Sequence, residues 1–419
     1  MSLSKKVAVR PLFYLLGAMA FFYLLYHSFA GGTLFAQNWY DSYSLQAENW
    51  LAGRMYIAGG EGYTWLELAI YEGEYYQSFP SVPSVLLLPW VLLCGSAAAV
   101  PANFIIALFG LGIAAGVYLL FRAWGAGEKA CLFWAIFVTM GSNTCWLSTS
   151  GGVWFMAQIT NLFFVVWGLY FASLSHKYGN IAAAVCLALA VGCRPFSILL
   201  LALFFLQLWL PMLKTQKNPL RWGDGLWAAF ALAALIGGVM AWYNYARFGS
   251  ILEFGHNYLP EFMEAEYGQF HLAYFWSNLK GLFSPITLSD TWVLEFSIFN
   301  GFFLFAANPI FLLWVIRLIQ RGIKQRLHWQ EGVLIGCCLL GLVFLCLHKT
   351  MGGWQFGARY LVDLIPYILL CEGVRYQKEP PRKPQKALAL PQDAPKDWAW
   401  FLLSLAVMFN VYGAAYMLY

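Results

Sequence analysis

The feature that most constrains this chain is a succession of apolar runs, each close to the length that carries a helix across a bilayer. A helix rises 1.5 Å per residue, so the hydrocarbon core takes roughly 20 apolar residues to cross. Such runs fall at 12–29, 101–121, 130–146, 153–174, 181–210, 226–243, 296–316, 332–347, 360–374 and 399–418. The run 181–210 is too long for one span and is interrupted by Arg194 and Pro195, so it counts as two. Charged residues make up 11% of the chain, against about 25% in soluble domains. Only backbones that close their own hydrogen bonds survive in hydrocarbon. The expected fold is therefore an all-α polytopic membrane protein with about 11 transmembrane helices. The first run is long and lacks a small-residue cleavage site, so it reads as a retained span.

Polarity is gathered between the spans. The stretch 31–83 carries Asp41, Glu48, Glu61, Glu67, Glu72 and Glu74 against a single basic residue, Arg54, with aromatic residues throughout. It reads as one wall of an active site. The segment 84–95 that follows is apolar but too short to span, and is expected to lie in or dip into the membrane surface. A second long loop covers 244–295, and the proline-rich, charged stretch 375–397 reads as an unstructured cytoplasmic linker before the last span.

Basic residues set the orientation, since cytoplasmic loops carry the excess of lysine and arginine. With the N-terminus in the cytoplasm, 19 of the 25 fall on that side. The remaining six are Arg54, Arg194, Arg247, Lys280, Lys349 and Arg359. Counting 181–210 as one span would invert everything after it and spoil the asymmetry. Nine scattered cysteines lie mostly within apolar runs and show no metal-ligand spacing, so they read as core packing.

Because outer basic residues are few, each is a candidate. An arginine fork suits phosphate oxygens, which makes Arg359, Arg247, Arg194 and Lys349 candidate phosphate ligands. Snorkelling, or ion pairs with Asp363 or Glu253, would explain them structurally. Asp41 is placed to accept a proton from a hydroxyl nucleophile, and equally to cap the helix that begins SYSLQAENW. Glu67 and Glu72 could bind sugar hydroxyls or form a solvated face. Tyr75, Tyr76, His256, Tyr258, Trp354 and Gln355 complete the candidate substrate-binding set. The histidines are isolated, with no paired spacing, so no metal site is expected.

Read in order, Asp41 with ENWLAGRMY, then LAIYEGEYYQSFPSVPSVLLLPWVLL, CRPF, NYARFGSILEFGHNY and GWQFGARYLVDLIPY, the chain resembles bacterial members of the GT-C superfamily. These are integral-membrane glycosyltransferases that use polyprenyl-phosphate sugars. The resemblance covers most of residues 30–370. It implies a transmembrane catalytic domain over 1–374, with juxtamembrane helices in the first outer loop (31–100) and a second outer loop over 244–295. A linker (375–397) and a final helix (398–419) would follow. It further implies that Asp41 is the catalytic base and that Arg359 and Arg247 hold the donor phosphate. The expected ligands are a polyprenyl-phosphate-linked sugar donor, a glycan, lipid or protein acceptor and membrane lipid. No cofactor and no nucleic acid are expected. The turn SNTCWLSTSGGVW lacks the second acidic pair of metal-dependent relatives, which implies transfer without a metal, and in-line attack on the anomeric carbon would give inversion. The expected location is a bacterial plasma membrane with the site facing outward.

Two other classes compete. A lipid or polysaccharide flippase would string polar residues through the middle of several spans, whereas here Arg194 stands nearly alone. A membrane acyltransferase would want an intramembrane histidine base, and none of the six histidines is so placed.

Overall fold

The computed structural model describes residues 10–214, 225–379 and 395–418. Most of the expected linker, together with Lys217, Arg221 and the first nine residues, lies outside the described residues.

Helix α1 (Arg10–Phe29) is followed by the first loop, which holds α2 (Ser42–Leu51), the strands β1 (Ala69–Tyr71) and β2 (Glu74–Tyr76), and α3 (Val82–Cys94). Asp41 caps α2, accepting from the Ser44 amide at 3.0 Å. The strands pair Ala69 with Tyr76 and Tyr71 with Glu74. That leaves Glu72 and Gly73 as a two-residue turn with both φ values positive, the hairpin geometry that matches strand twist.

Next come α4 (Ala102–Ala123), α5 (Glu128–Thr139), α6 (Thr144–Leu147), α7 (Val153–Ser173), α8 (Lys177–Val191) and α9 (Ile198–Lys214). The break between α8 and α9 falls at the Arg194-Pro195 interruption. Helix α10 (Leu226–Phe248) leads to the second loop. That loop contains α11 (Pro260–Met263), α12 (Phe275–Gly281) and a small hairpin, β3 (Thr287–Leu288) with β4 (Leu294–Glu295). The chain ends with α13 (Leu304–Ala307), α14 (Pro309–Ile323), α15 (Trp329–Leu347), a 3-10 turn at Arg359–Leu364, α16 (Ile365–Lys378) and α17 (Asp397–Tyr416).

Six of these helices are long and apolar enough to cross a membrane: α1, α4, α7, α10, α15 and α17. The other expected spans are also helical but shorter. Three depart from expectation. Residues 296–303 are not helical, and the eighth expected span holds only the single turn of α13 before its long helix starts at Pro309, a residue suited to a first helical turn. The apolarity there serves packing instead: Phe296 and Phe302 meet Phe356 and, from α17, Tyr416 or Phe409. The third run is cut at Thr139, because Asn143 turns aside to bind Asn308, the Phe356 carbonyl and the Ala358 amide. Conversely, α10 runs past Tyr243 to a glycine cap at Gly249, so Arg247 stands on its last turn and not in the loop.

Helix α7 is the most enclosed of the six, with 72% of its apolar window buried, and α10 the least, at 11%. The first is therefore the pillar of the core, packed between α4 and α8. The second presents its apolar sides outward, as a lipid-facing helix does.

Candidate functional site

The loops after α1, after α10 and between α15 and α16 close over one end of the bundle and enclose a cavity of about 620 Å³. That lies within the range of about 300–1,000 Å³ typical of ligand sites. The walls are aromatic, with Tyr40, Trp146, Trp154, Phe155 and Trp354, and carry Glu67, Glu261, His256, His348 and Arg359.

Arg359 is placed by its own glycines. Its Nε and Nη2 donate to the Gly352 carbonyl at 3.1 and 2.7 Å, and its amide donates to the Gln355 side chain at 2.9 Å. Gly352 has φ +112, and a Cβ there would stand 2.8 Å from Arg359 Nε, so only glycine lets this carbonyl come so close. No carboxylate forms an ion pair with this guanidinium among the described residues, and Nη1 has no protein partner. Its carbon sits 5.0 Å from the centre of the Tyr360 ring. The Arg194 guanidinium lies 5.0 Å from the same ring, so the two charges can be no farther apart than twice that. Arg194 itself is committed to Asp363 through Nε and Nη2, at 3.0 and 2.7 Å.

Glu67 opens on the cavity, with one oxygen accepting from Trp154 Nε1 at 2.7 Å. The carboxyl is accessible yet hemmed by protein, and this desolvation, with Glu261 nearby, raises its pKa above the usual carboxylate value. His256 hydrogen-bonds the Ser78 carbonyl through Nδ1 at 2.5 Å. His348 is bound on both sides, by Thr350 and Gln269. Burial lowers both imidazoles to about 4, so each is neutral at pH 7.

Asp41 is buried and does not itself line the cavity; its chain neighbour Tyr40 does, and packs against Trp154 at 5.5 Å. Its carboxylate accepts from the Ser44 amide and, at 2.5 Å, from Ser44 Oγ. Burial pushes it up to about 6. Both the capping geometry and a pKa suited to proton transfer are thus present in one group.

Of the other candidates, Trp354 lines the cavity, whereas Lys349 does not and is engaged by Glu261, donating to its carbonyl at 2.6 Å and pairing with its carboxylate at 3.8 Å. Gln355 is buried and holds Arg359 in place. Arg247 is locked into the protein, donating to Gln77 O and Asn244 Oδ1 and stacking on Tyr243 at 4.1 Å. Tyr76 and Tyr258 pack on Phe248, Tyr75 joins a small cluster with Ile57 and Leu66, and Glu72 is exposed at the hairpin tip. None of these last five lines the cavity. Sequence reasoning missed Trp154, Glu261 and Tyr360, and reached Tyr40 only within the aromatic stretch read as a wall. Trp154 carried a signal, following the polar turn LSTSGG, whereas Glu261 and Tyr360 looked like ordinary loop residues. Among the described residues, no three His, Cys, Asp or Glu side chains cluster as a metal site requires.

No protein-family model matches the chain, and no curated protein matches it by sequence. Solved structures do share its architecture. ArnT from Cupriavidus metallidurans, bound to undecaprenyl phosphate, aligns with a TM-score of 0.50 at 12% identity, over 96% of this chain and 76% of that one. The Archaeoglobus fulgidus oligosaccharyltransferase in the apo form aligns with a TM-score of 0.50 at 15% identity, over 100% of this chain and 56% of that one. The chain thus spans little more than half the length of the archaeal enzyme. The chain therefore shares the helical fold of these two proteins, and six of its helices are long and apolar enough to cross a membrane.

Proposed function

Taking the GT-C fold as the premise, we propose that the chain is a membrane glycosyltransferase that takes its sugar from a polyprenyl-phosphate donor at this cavity. The observation that carries the reading is Arg359, a buried guanidinium on the cavity wall that, among the described residues, has one N–H group without a partner and no carboxylate bound to it. A buried charge left without a counter-ion is costly unless a ligand supplies one. A phosphate that leaves with the bonding electron pair is such a ligand, and stabilising it is the kind of electrostatic effect that dominates catalysis.

In the reaction, an acceptor hydroxyl oxygen attacks the anomeric carbon while the bond from that carbon to the phosphate oxygen breaks. In-line attack inverts the centre, and no metal takes part. The hydroxyl proton passes to Asp41, whose pKa near 6 suits a base working close to neutrality. Glu67 is the second reading for the base, favoured by a carboxylate that opens directly on the cavity. The donor's isoprenoid tail would leave through the apolar bundle, with the cavity on the extracytoplasmic side of a bacterial plasma membrane. The acceptor is a glycan, lipid or protein.

The test is to incubate purified protein with labelled polyprenyl-phosphate sugars and an acceptor mixture. The proposal expects labelled product and released polyprenyl phosphate in equal amounts. A flippase would move the lipid between leaflets and release none, and that outcome would overturn the proposal.

A further inference from the structure

One residue of the first loop reaches two groups on the cavity wall. Ser78, wholly buried, donates from Oγ to the Glu67 carbonyl at 3.0 Å, while its own carbonyl takes the His256 Nδ1 bond. Both contacts need unusual backbone. Glu67 is a non-glycine residue with φ +52, a conformation that persists only when its surroundings hold it. Gly255, just before His256, has φ +102, and a Cβ there would stand 2.9 Å from Phe248 and 3.2 Å from Ser78 Cα. The His256 ring is then fixed edge-on to Phe79 at 4.9 Å and stacked on Phe262 at 6.0 Å.

Anchoring fixes the chemistry as well as the position. Since a carbonyl can only accept, His256 Nδ1 carries the hydrogen, and Nε2 keeps its lone pair. Among the described residues Nε2 has no protein partner, and it belongs to a ring on the cavity wall. Trp154 occupies one Glu67 oxygen, and among the described residues no donor occupies the other. These two side chains therefore offer acceptors only. Arg359, on the same cavity, offers donors only.

We infer that Glu67 and His256, anchored jointly through Ser78, form a subsite that recognises the hydroxyl groups of a sugar ring, with Ser78 as its positioning residue. A hydroxyl can donate to either acceptor, whereas a phosphate or carboxylate, with no proton to give, is turned away. The two kinds of wall thereby orient the ligand, phosphate toward Arg359 and hydroxyls toward Glu67 and His256. The inference rests on the donor reading above.

Binding of bare polyprenyl phosphate and of a panel of hexose- and pentose-loaded polyprenyl phosphates, measured on the full chain, separates the two. Wild type is expected to gain affinity from at least one sugar. His256→Leu, which removes the acceptor, should lower that gain about tenfold, the size of one lost hydrogen bond, and leave bare-lipid affinity unchanged. His256→Gln, which keeps an oxygen near the Nε2 position, should recover most of the gain. An unchanged gain in His256→Leu overturns the subsite, as does a wild type that gains nothing from any sugar. Where His256→Leu does not fold, Glu67→Met, which removes both acceptor oxygens, carries the test: a reduced gain supports the subsite and a full gain overturns it. A wild type that binds no polyprenyl phosphate at all overturns the donor reading instead.

Discussion

Buried charges occur at both ends of this bundle, and the two ends treat them differently. Where α14, α15 and α16 meet, every buried carboxylate is paired. Glu372 lies between Arg317 at 3.3 Å and Arg375 at 2.8 Å, and Arg321 bridges Glu331 at 2.9 Å and Glu379 at 3.3 Å. At the cavity end Arg359 is held by a carbonyl, Glu67 by an indole and Asp41 by a serine. Charges at the first end are satisfied by one another and fasten helices. Charges at the second are held in position by neutral groups, and those of Arg359 and Glu67 stand on the cavity wall. Arg194 stands between the two cases, paired with Asp363 yet within reach of Arg359 through the Tyr360 ring.

The contrast can be broken by substitution, and the largest expected effect is at Asp41. Asp41→Asn should lower transfer by about 10²–10⁴-fold, the usual worth of a general base, while bare polyprenyl phosphate still binds. Wild-type transfer should rise with pH through about 6, the value to which burial pushes this carboxyl, because the base must be ionised to accept a proton. Stability should run the other way. A folded-state pKa above the unfolded one favours the protonated fold, so the wild type gains stability as pH falls through 6 toward 4, a dependence that Asp41→Asn loses. If Glu67→Gln abolishes transfer and Asp41→Asn spares it, the base is Glu67.

Second in size is Arg359→Met, expected to reduce transfer by about 10²–10³-fold and to weaken binding of bare polyprenyl phosphate. Thermal stability should hold or rise, since a buried charge without a counter-ion has been removed. Glu372→Gln should do the opposite. Leaving Arg317 and Arg375 without their anion costs about 3–5 kcal/mol of stability, with turnover per folded molecule unchanged. A Glu372 variant that folds normally but transfers poorly would erase the distinction between the ends. Smallest of all, Glu72→Gln at the exposed hairpin tip should change neither stability nor turnover.

Much of this was legible before any coordinates, because hydrophobic run length and the cost of unpaired backbone in lipid leave few folds open. The interruption at Arg194-Pro195 marked a real helix break for the same reason: proline removes an amide and restricts the residue before it. Residues 296–303 misled because aromatic packing and membrane spanning demand the same side chains. At the site, Arg359 and its glycines stood out locally, and Glu67, His256 and Trp354 reached the cavity from three distant loops. Arg247 looked like a loop arginine, yet one more helical turn carried it into the protein. Tyr40 lay within the aromatic stretch read as a wall, whereas Glu261 was illegible, since only the folding of three loops over one another brings it to that wall.

Cross-linking tests the central claim most directly. A polyprenyl-phosphate sugar bearing a photoreactive group on its sugar ring would be bound to the purified protein, irradiated, and the labelled peptides sequenced. The account predicts label within residues 67–79, 146–155, 256–262 and 348–360, suppressed by excess unmodified donor and sharply reduced in Arg359→Met. Label confined to the outward face of α10, or to the basic end around α14 and α16, would contradict it.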